Sequence, residues 1–259
     1  MSKSDLNISL IQMDIVWENP AKNRALLEPK IASLQGLQHI IVLPEMFNTG
    51  FSMQAEELAE TMDGETVTWM KEQAGKNRCI LTGSIIIKEE GKYYNRLLWV
   101  LPNGEVAHYD KRHLFSYAGE NVDFSHGEKR MIAQVNGWKI CLQVCYDLRF
   151  PVWARNTDDY DILLYVANWP EKRNYVWENL LQARSIENMS FVIGVNRVGE
   201  DGNGHPYIGN SSIYNPLGEL IQKAPNEEKI ITNTFKYTEI EESRAKFPFL
   251  NDRDAFVLL

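Results

Sequence analysis

Apolar residues fall in short runs rich in Val and Ile: NISLIQM at 7–13, HIIVLP at 39–44, CILTGSIII at 79–87 and RLLWVLP at 96–102. KICLQVC at 139–145, DILLYVAN at 161–168, FVIGVN at 191–196 and IITNTF at 230–235 continue the series. Their length and β-branched content predict strands. Between some of them apolar residues switch to helical spacing. Asn19-Pro20 opens one such stretch, with Leu26, Leu27, Ile31 and Leu34 on one face, and Arg173 to Met189 reads as another through Val176, Leu180, Ala183 and Ile186. Further helices are predicted over Glu65 to Lys76 and over Phe150 to Thr157. Hairpin turns are expected at Pro102-Asn103-Gly104, Asn136-Gly137, Asp201-Gly202-Asn203-Gly204 and Asn215-Pro216-Leu217-Gly218. Strands separated by helices thus alternate with hairpins, so the class is α/β with mixed sheets in stacked layers. No repeat, low-complexity segment or linker divides the chain, and a single domain over residues 1–259 is expected.

A strand buried on both faces is apolar throughout, so a polar residue just past its C-terminal end marks where the chain surfaces into the crevice that binds ligands. HIIVLP runs into Glu45, EVAHYD into Lys111, KICLQV into Cys145, DILLYVA into Asn168 and FVIGV into Asn196. If these strands lie side by side, a carboxylate, an ammonium and a thiol meet at one sheet edge. That set has a chemical logic. A thiol becomes a strong nucleophile as its thiolate; a neighbouring ammonium lowers its pKa and a carboxylate takes its proton. When the sulfur attacks an amide carbon, Lys111 and a backbone N–H near Cys145 can meet the oxyanion. The carboxylate then returns the proton to the departing ammonia and activates water, with no metal or cofactor required.

The length of 259 residues is enough to bury about 73% of the unfolded surface in one large core. The net charge of −8 is spread over the chain, which makes nucleic acid and anionic membranes poor partners. The first apolar stretch is broken by Asp14 and reads as neither a signal peptide nor a membrane span. With three cysteines, an odd number, the chain is expected to be cytoplasmic with reduced thiols. Cys141 and Cys79 read as small buried apolar residues. The five histidines form no HxxxH or HxH pair, and His113 reads as a structural hydrogen-bonding residue. Arg149 and Asp147 are expected to order the turn that presents Cys145, or to form an ordinary ion pair.

LPEMF at 43–47, YDKRHLF at 109–115 and VCYDLRFP at 144–151 together resemble the Glu-Lys-Cys motifs of the nitrilase, or carbon–nitrogen hydrolase, superfamily. The resemblance covers nearly the whole chain and implies a four-layer α-β-β-α sandwich with two mixed sheets. It implies Glu45 as base, Lys111 as oxyanion-stabilising ammonium, Cys145 as nucleophile and Glu120, in SYAGE, as a supporting carboxylate. Among branches, YAGENVDFSHGEKR and NRVGEDGNG resemble bacterial omega-amidases, which cleave the terminal amide of 2-oxo-dicarboxylic acid monoamides. For such a substrate Arg173 is the expected partner of the distal carboxylate, and Phe47, Tyr117, Tyr146 and Trp169 are the expected walls. The same chemistry would serve another small amide, a carbamoyl compound, a nitrile or deaminated glutathione, and a noncatalytic binding protein is the reading from another class. A homodimer or larger even assembly is implied by the resemblance, and the apolar tail AFVLL after Asp254 suits a partner's surface.

Overall fold

The computed structural model describes residues 4–257. The first half of the chain runs β1 (Leu6–Gln12), α1 (Pro20–Ala32), β2 (Ile40–Val42), α2 (Ala55–Leu58), α3 (Glu65–Asn77), β3 (Ile80–Glu89), β4 (Lys92–Val100) and β5 (Val106–Asp110). A short α4 (Glu120–Asp123) leads to β6 (Met131–Val135), β7 (Trp138–Val144), α5 (Pro151–Ala154), β8 (Ile162–Val166), α6 (Asn174–Asn188) and β9 (Phe191–Val195). The rest is β10 (Val198–Glu200), β11 (Pro206–Ile208), β12 (Ser212–Tyr214), β13 (Leu220–Lys223), β14 (Lys229–Phe235) and α7 (Tyr237–Lys246).

Two six-stranded mixed sheets result, ordered β14-β1-β2-β3-β4-β5 and β13-β12-β9-β8-β7-β6. Alternation along the strands explains the layers. On β1 and β2, Leu6, Ile8, Leu10, Ile40 and Val42 enter the core shared by the two sheets. Their neighbours Ile11 and Ile41 turn outward, onto Leu27 and Ile31 of α1 and Val67 and Met70 of α3. On the far side α6 lies on β9, where a Cβ on Gly194 would come 2.6 Å from Leu181 and Trp177. The architecture is the four-layer α-β-β-α sandwich expected from the resemblance, and all four hairpin turns connect antiparallel strands.

Two sequence expectations are corrected. The buried face of α6 is Trp177, Leu181, Arg184, Ser185 and Asn188, one position from the expected stripe, and Ile186 is 50% exposed. Trp177 sets that face: it is the bulkiest apolar group on the helix, and its indole N–H reaches Asn210 O. The helix expected over Phe150 to Thr157 is only Pro151–Ala154, because Asn156 folds into a loop bonded to Tyr160 O and Asn188 O. Near the C-terminus Arg253 donates to Asn156 O and Asp159 of its own chain. Beyond it Phe256 and Val257 remain 41% and 82% exposed, and Leu258 and Leu259 lie outside the described residues. Among the described residues no helix is long and apolar enough to cross a membrane.

Candidate active site

Strand direction brings the polar endings together. β2 and β3 are parallel, and two antiparallel steps through β4 return β5 to the same direction, so Glu45 and Lys111 emerge at one end of the first sheet. In the second sheet β7, β8 and β9 are parallel, which puts Cys145, Asn168 and Asn196 at one end. The expectation of a single sheet edge is therefore corrected: the carboxylate and ammonium come from one sheet, the thiol from the other, and they meet between the layers. Asn196 serves as a latch, donating to Trp169 O and Gly209 O and accepting from Trp169 N.

Lys111 Nζ donates to Glu45 Oε1 at 2.9 Å and to Glu120 Oε1 and Oε2 at 2.9 and 2.8 Å. Glu45 Oε2 accepts the Asn168 N–H at 2.8 Å, and the Asn168 side chain donates to Glu45 O at 2.5 Å. Phe115 N donates to Glu120 Oε2 at 2.5 Å. All three charged side chains are buried; Cys145 is 8% exposed and its thiol faces Asn168 O at 3.9 Å. Burial opposes the Lys111 ammonium, but the carboxylates of Glu120 and Glu45 outweigh it and hold its pKa above the ordinary lysine value. Burial, together with the Glu45 charge, raises the Glu120 pKa against the pull of Lys111.

The thiol departs from expectation. Burial first and the Glu45 carboxylate second push the Cys145 pKa well up, and the Lys111 ammonium only partly offsets them. The surroundings of the sulfur thus favour its thiol form over the thiolate. Burial also raises Cys141 to about 12 and Cys79 to about 11, which suits their reading as inert core residues.

Cys145 sits at the first position of a short helical turn, in left-handed backbone with φ 43°. For a residue with a Cβ this costs about 1–3 kcal/mol and persists only where surroundings enforce it. Asp147 does so: it accepts from Val144 N at 3.0 Å, Tyr109 OH at 2.7 Å, and His113 N and Nδ1 at 3.0 and 2.7 Å. His113 is in turn stacked on Phe150 at 3.7 Å, a structural role. Arg184 of α6 donates to Leu148 O at 2.6 Å from the other side.

Above the thiol lies a cavity of about 230 Å³ onto which Lys111, Cys145, Tyr117, Tyr146, Trp169 and Arg173 all open. Phe47 is not among its walls and is corrected. It lies fully buried in the outer core, 6.1 Å from the Trp69 ring, because the chain after Glu45 turns back under the first sheet; Phe51 takes its place at the cavity. Arg173 lies over the Phe115 ring at 5.0 Å, and Arg149 over the Trp169 ring at 5.3 Å. Arg149 does not pair with Asp147 and instead joins Lys111, Lys172 and Arg173 at the cavity, so a chain of net charge −8 gathers four cations there. Sequence reading missed Arg149 as a cavity residue, together with Phe115, Tyr207 and the buried Asn95, which donates to both Glu45 and Glu120. Phe115 lay within a quoted motif, four residues from Lys111; Asn95 offered only a polar residue inside an apolar strand.

Fold and site together bring a thiol, an ammonium and two carboxylates to one cavity. The family model described as carbon-nitrogen hydrolase matches residues 7–245. The chain is 42% identical to the omega-amidase YafV of Yersinia enterocolitica, over 99% of this chain and 100% of that one. It is 31% identical to the 2-oxoglutaramate amidase of Bacillus subtilis, over 95% and 96% of the two chains. The crystal structure of XC1258 from Xanthomonas campestris, a CN-hydrolase superfamily protein with an arsenic adduct in its active site, superposes with a TM-score of 0.97 at 43% identity, covering 98% of this chain and 99% of that one. The chain belongs to the carbon–nitrogen hydrolase family. It is a hydrolase of carbon–nitrogen bonds, amides among them.

Proposed function

We propose that the enzyme hydrolyses the terminal amide of a small 2-oxo-dicarboxylic acid monoamide, 2-oxoglutaramate or 2-oxosuccinamate, through a thioester on Cys145. Glu45 takes the thiol proton as the sulfur attacks the amide carbon, and Lys111 with a backbone N–H beside Cys145 meets the oxyanion. Glu45 passes the proton to the nitrogen, ammonia leaves, and Glu45 then activates the water that opens the thioester. Glu120 holds Lys111 throughout. The observation that carries this reading is that Cys145 and Lys111 both line a small cavity that Arg149, Lys172 and Arg173 line as well. The names of the relatives, omega-amidase and 2-oxoglutaramate amidase, support the substrate class. Ammonia release and intact-mass detection of acylated Cys145 across a panel of amides, carbamoyl compounds and nitriles test it. No adduct with any of them would return the chain to a binding role.

Arg173 is the proposed partner of the distal carboxylate, with Tyr117, Tyr146 and Trp169 as walls. Arg173→Met should raise KM for 2-oxoglutaramate about 10- to 100-fold, the worth of a charge-assisted hydrogen bond, with kcat little changed. Turnover of a neutral amide of similar size should be unaffected. Equal losses on both substrates would remove Arg173 from carboxylate recognition.

The chain is also proposed to act as a homodimer or larger even assembly, with the exposed Phe256 and Val257 shielded by a partner. Light scattering on the full chain and on one ending at Arg253 checks this. A monomeric full chain sinks the assembly, and an unaltered truncated dimer sinks the tail's part in it.

A further inference from the structure

Asn95 lies in β4 and is fully buried. Its Nδ2 donates to Glu45 Oε1 at 2.8 Å and to Glu120 Oε1 at 3.2 Å. Its Oδ1 is equally buried and, among the described residues, has no hydrogen-bond partner. Buried amides normally satisfy both ends, so a bare acceptor is a cost retained for what the other end does. Here the other end serves two carboxylates of the candidate active site.

The surroundings of Glu45 define that service. Oε1 receives Lys111 Nζ, from the end of β5, and Asn95 Nδ2, from β4. Oε2 receives the Asn168 N–H from beyond β8, and the Cys145 thiol, at the end of β7, faces Asn168 O of that same residue at 3.9 Å. Glu120, opening α4, faces the same Lys111 and the same Asn95. Tyr207 of β11 lies farther out, at the cavity, bonded to Asp201.

We propose that Asn95 is a positioning residue that fixes which oxygen of Glu45 accepts the Cys145 proton. With Lys111 and Asn95 both on Oε1, Oε2 retains the free lone pair. An amide suits this place because it donates to both carboxylates without adding charge: a second cation would make Glu45 too weak a base, and a third carboxylate would add to the repulsion. Without its N–H groups the carboxylate pair, whose Glu120 member burial already raises, holds a proton to higher pH, and the pair then offers the thiol no base. The inference rests on the Cys145–Glu45 chemistry proposed above.

The test uses Asn95→Leu, nearly isosteric and without donors, and Asn95→Ser, which keeps one donor. Two pH profiles are measured on each full-length variant: kcat/KM for 2-oxoglutaramate, and the rate of Cys145 alkylation by iodoacetamide. In Asn95→Leu the acid limb of both profiles should move up by about one pH unit, an approximately tenfold loss below the limb that recovers at high pH. Asn95→Ser should shift in the same direction by less. Limbs coincident with wild type, or a loss uniform across pH, overturn the proposal; if the leucine variant does not fold, the serine variant decides on the same terms. Should the wild type fail to hydrolyse 2-oxoglutaramate, the substrate reading falls and the alkylation limb still decides the role of Asn95.

Discussion

Cys145→Ala should lower amide turnover by about 10⁴-fold or more while leaving the chain folded. The loss is large because no other described side chain supplies a nucleophile at the base of the cavity: Cys141 lies in the core between the sheets and Cys79 in the outer core. The fold survives because the thiol does little structural work. Its protein contact, Asn168 O at 3.9 Å, is long, and the left-handed backbone at φ 43° is held by Asp147 and its partners rather than by sulfur. Alanine meets the same backbone penalty as cysteine. Cys141→Ala, by contrast, should keep turnover and cost about 1 kcal/mol of stability. Steady-state ammonia release with thermal unfolding of both variants decides: comparable loss of turnover in the two would refute a single nucleophile, and unfolding of Cys145→Ala would assign the thiol to structure. Adding Glu45→Gln to Cys145→Ala should change little further, since residues of one site fail together.

Most of what places the site was legible before any coordinates. Apolar runs with β-branched residues gave the strands, and the first polar residue after each gave Glu45, Lys111, Cys145, Asn168 and Asn196. What periodicity cannot carry is which strands share a sheet, because pairing is decided by contacts distant in sequence. Hence the thiol and the ammonium were expected at one edge and are found on two facing sheets. Phe47 fails for a related reason: an aromatic two residues from a catalytic candidate has the same sequence signature whether it turns to the cavity or to the core. Here the space above Gly83 settles it, where a Cβ would come 2.9 Å from the Phe47 ring. Asn95 and Arg149 were missed because their roles are relational. A strand asparagine gains meaning only when two carboxylates from other strands and loops close on it, and an arginine after the nucleophile gains it only when Trp169 provides the surface on which it lies.

Lys111→Met should cost both turnover and stability, and the stability loss should depend on pH. A lysine at a strand end suggests a chemical loss alone. The structure adds burial: Glu45, Glu120 and Lys111 are all 0–1% exposed, with one ammonium shared by two carboxylates. Turnover should fall about 10²- to 10⁴-fold, because the oxyanion loses its cation and Glu45 loses its orientation. Removing one partner from a buried ion network typically costs about 3–5 kcal/mol, since the charges left behind are neither solvated nor paired. Burial and the Glu45 charge already raise the Glu120 pKa with Lys111 present; without it the folded-state pKa of Glu120 rises further above its unfolded value. A group whose pKa is raised on folding contributes stability below its unfolded pKa and loses it as pH climbs through the folded pKa. The deficit of Lys111→Met against wild type should thus be small near pH 4 to 5 and grow toward pH 8. Urea unfolding at several pH values measures it, and a deficit constant with pH would show that the two carboxylates do not share the ammonium. Lys111→Met combined with Glu120→Gln supplies the control: one buried charge fewer should restore part of the stability at pH 8, while turnover stays low because the oxyanion still lacks its ammonium.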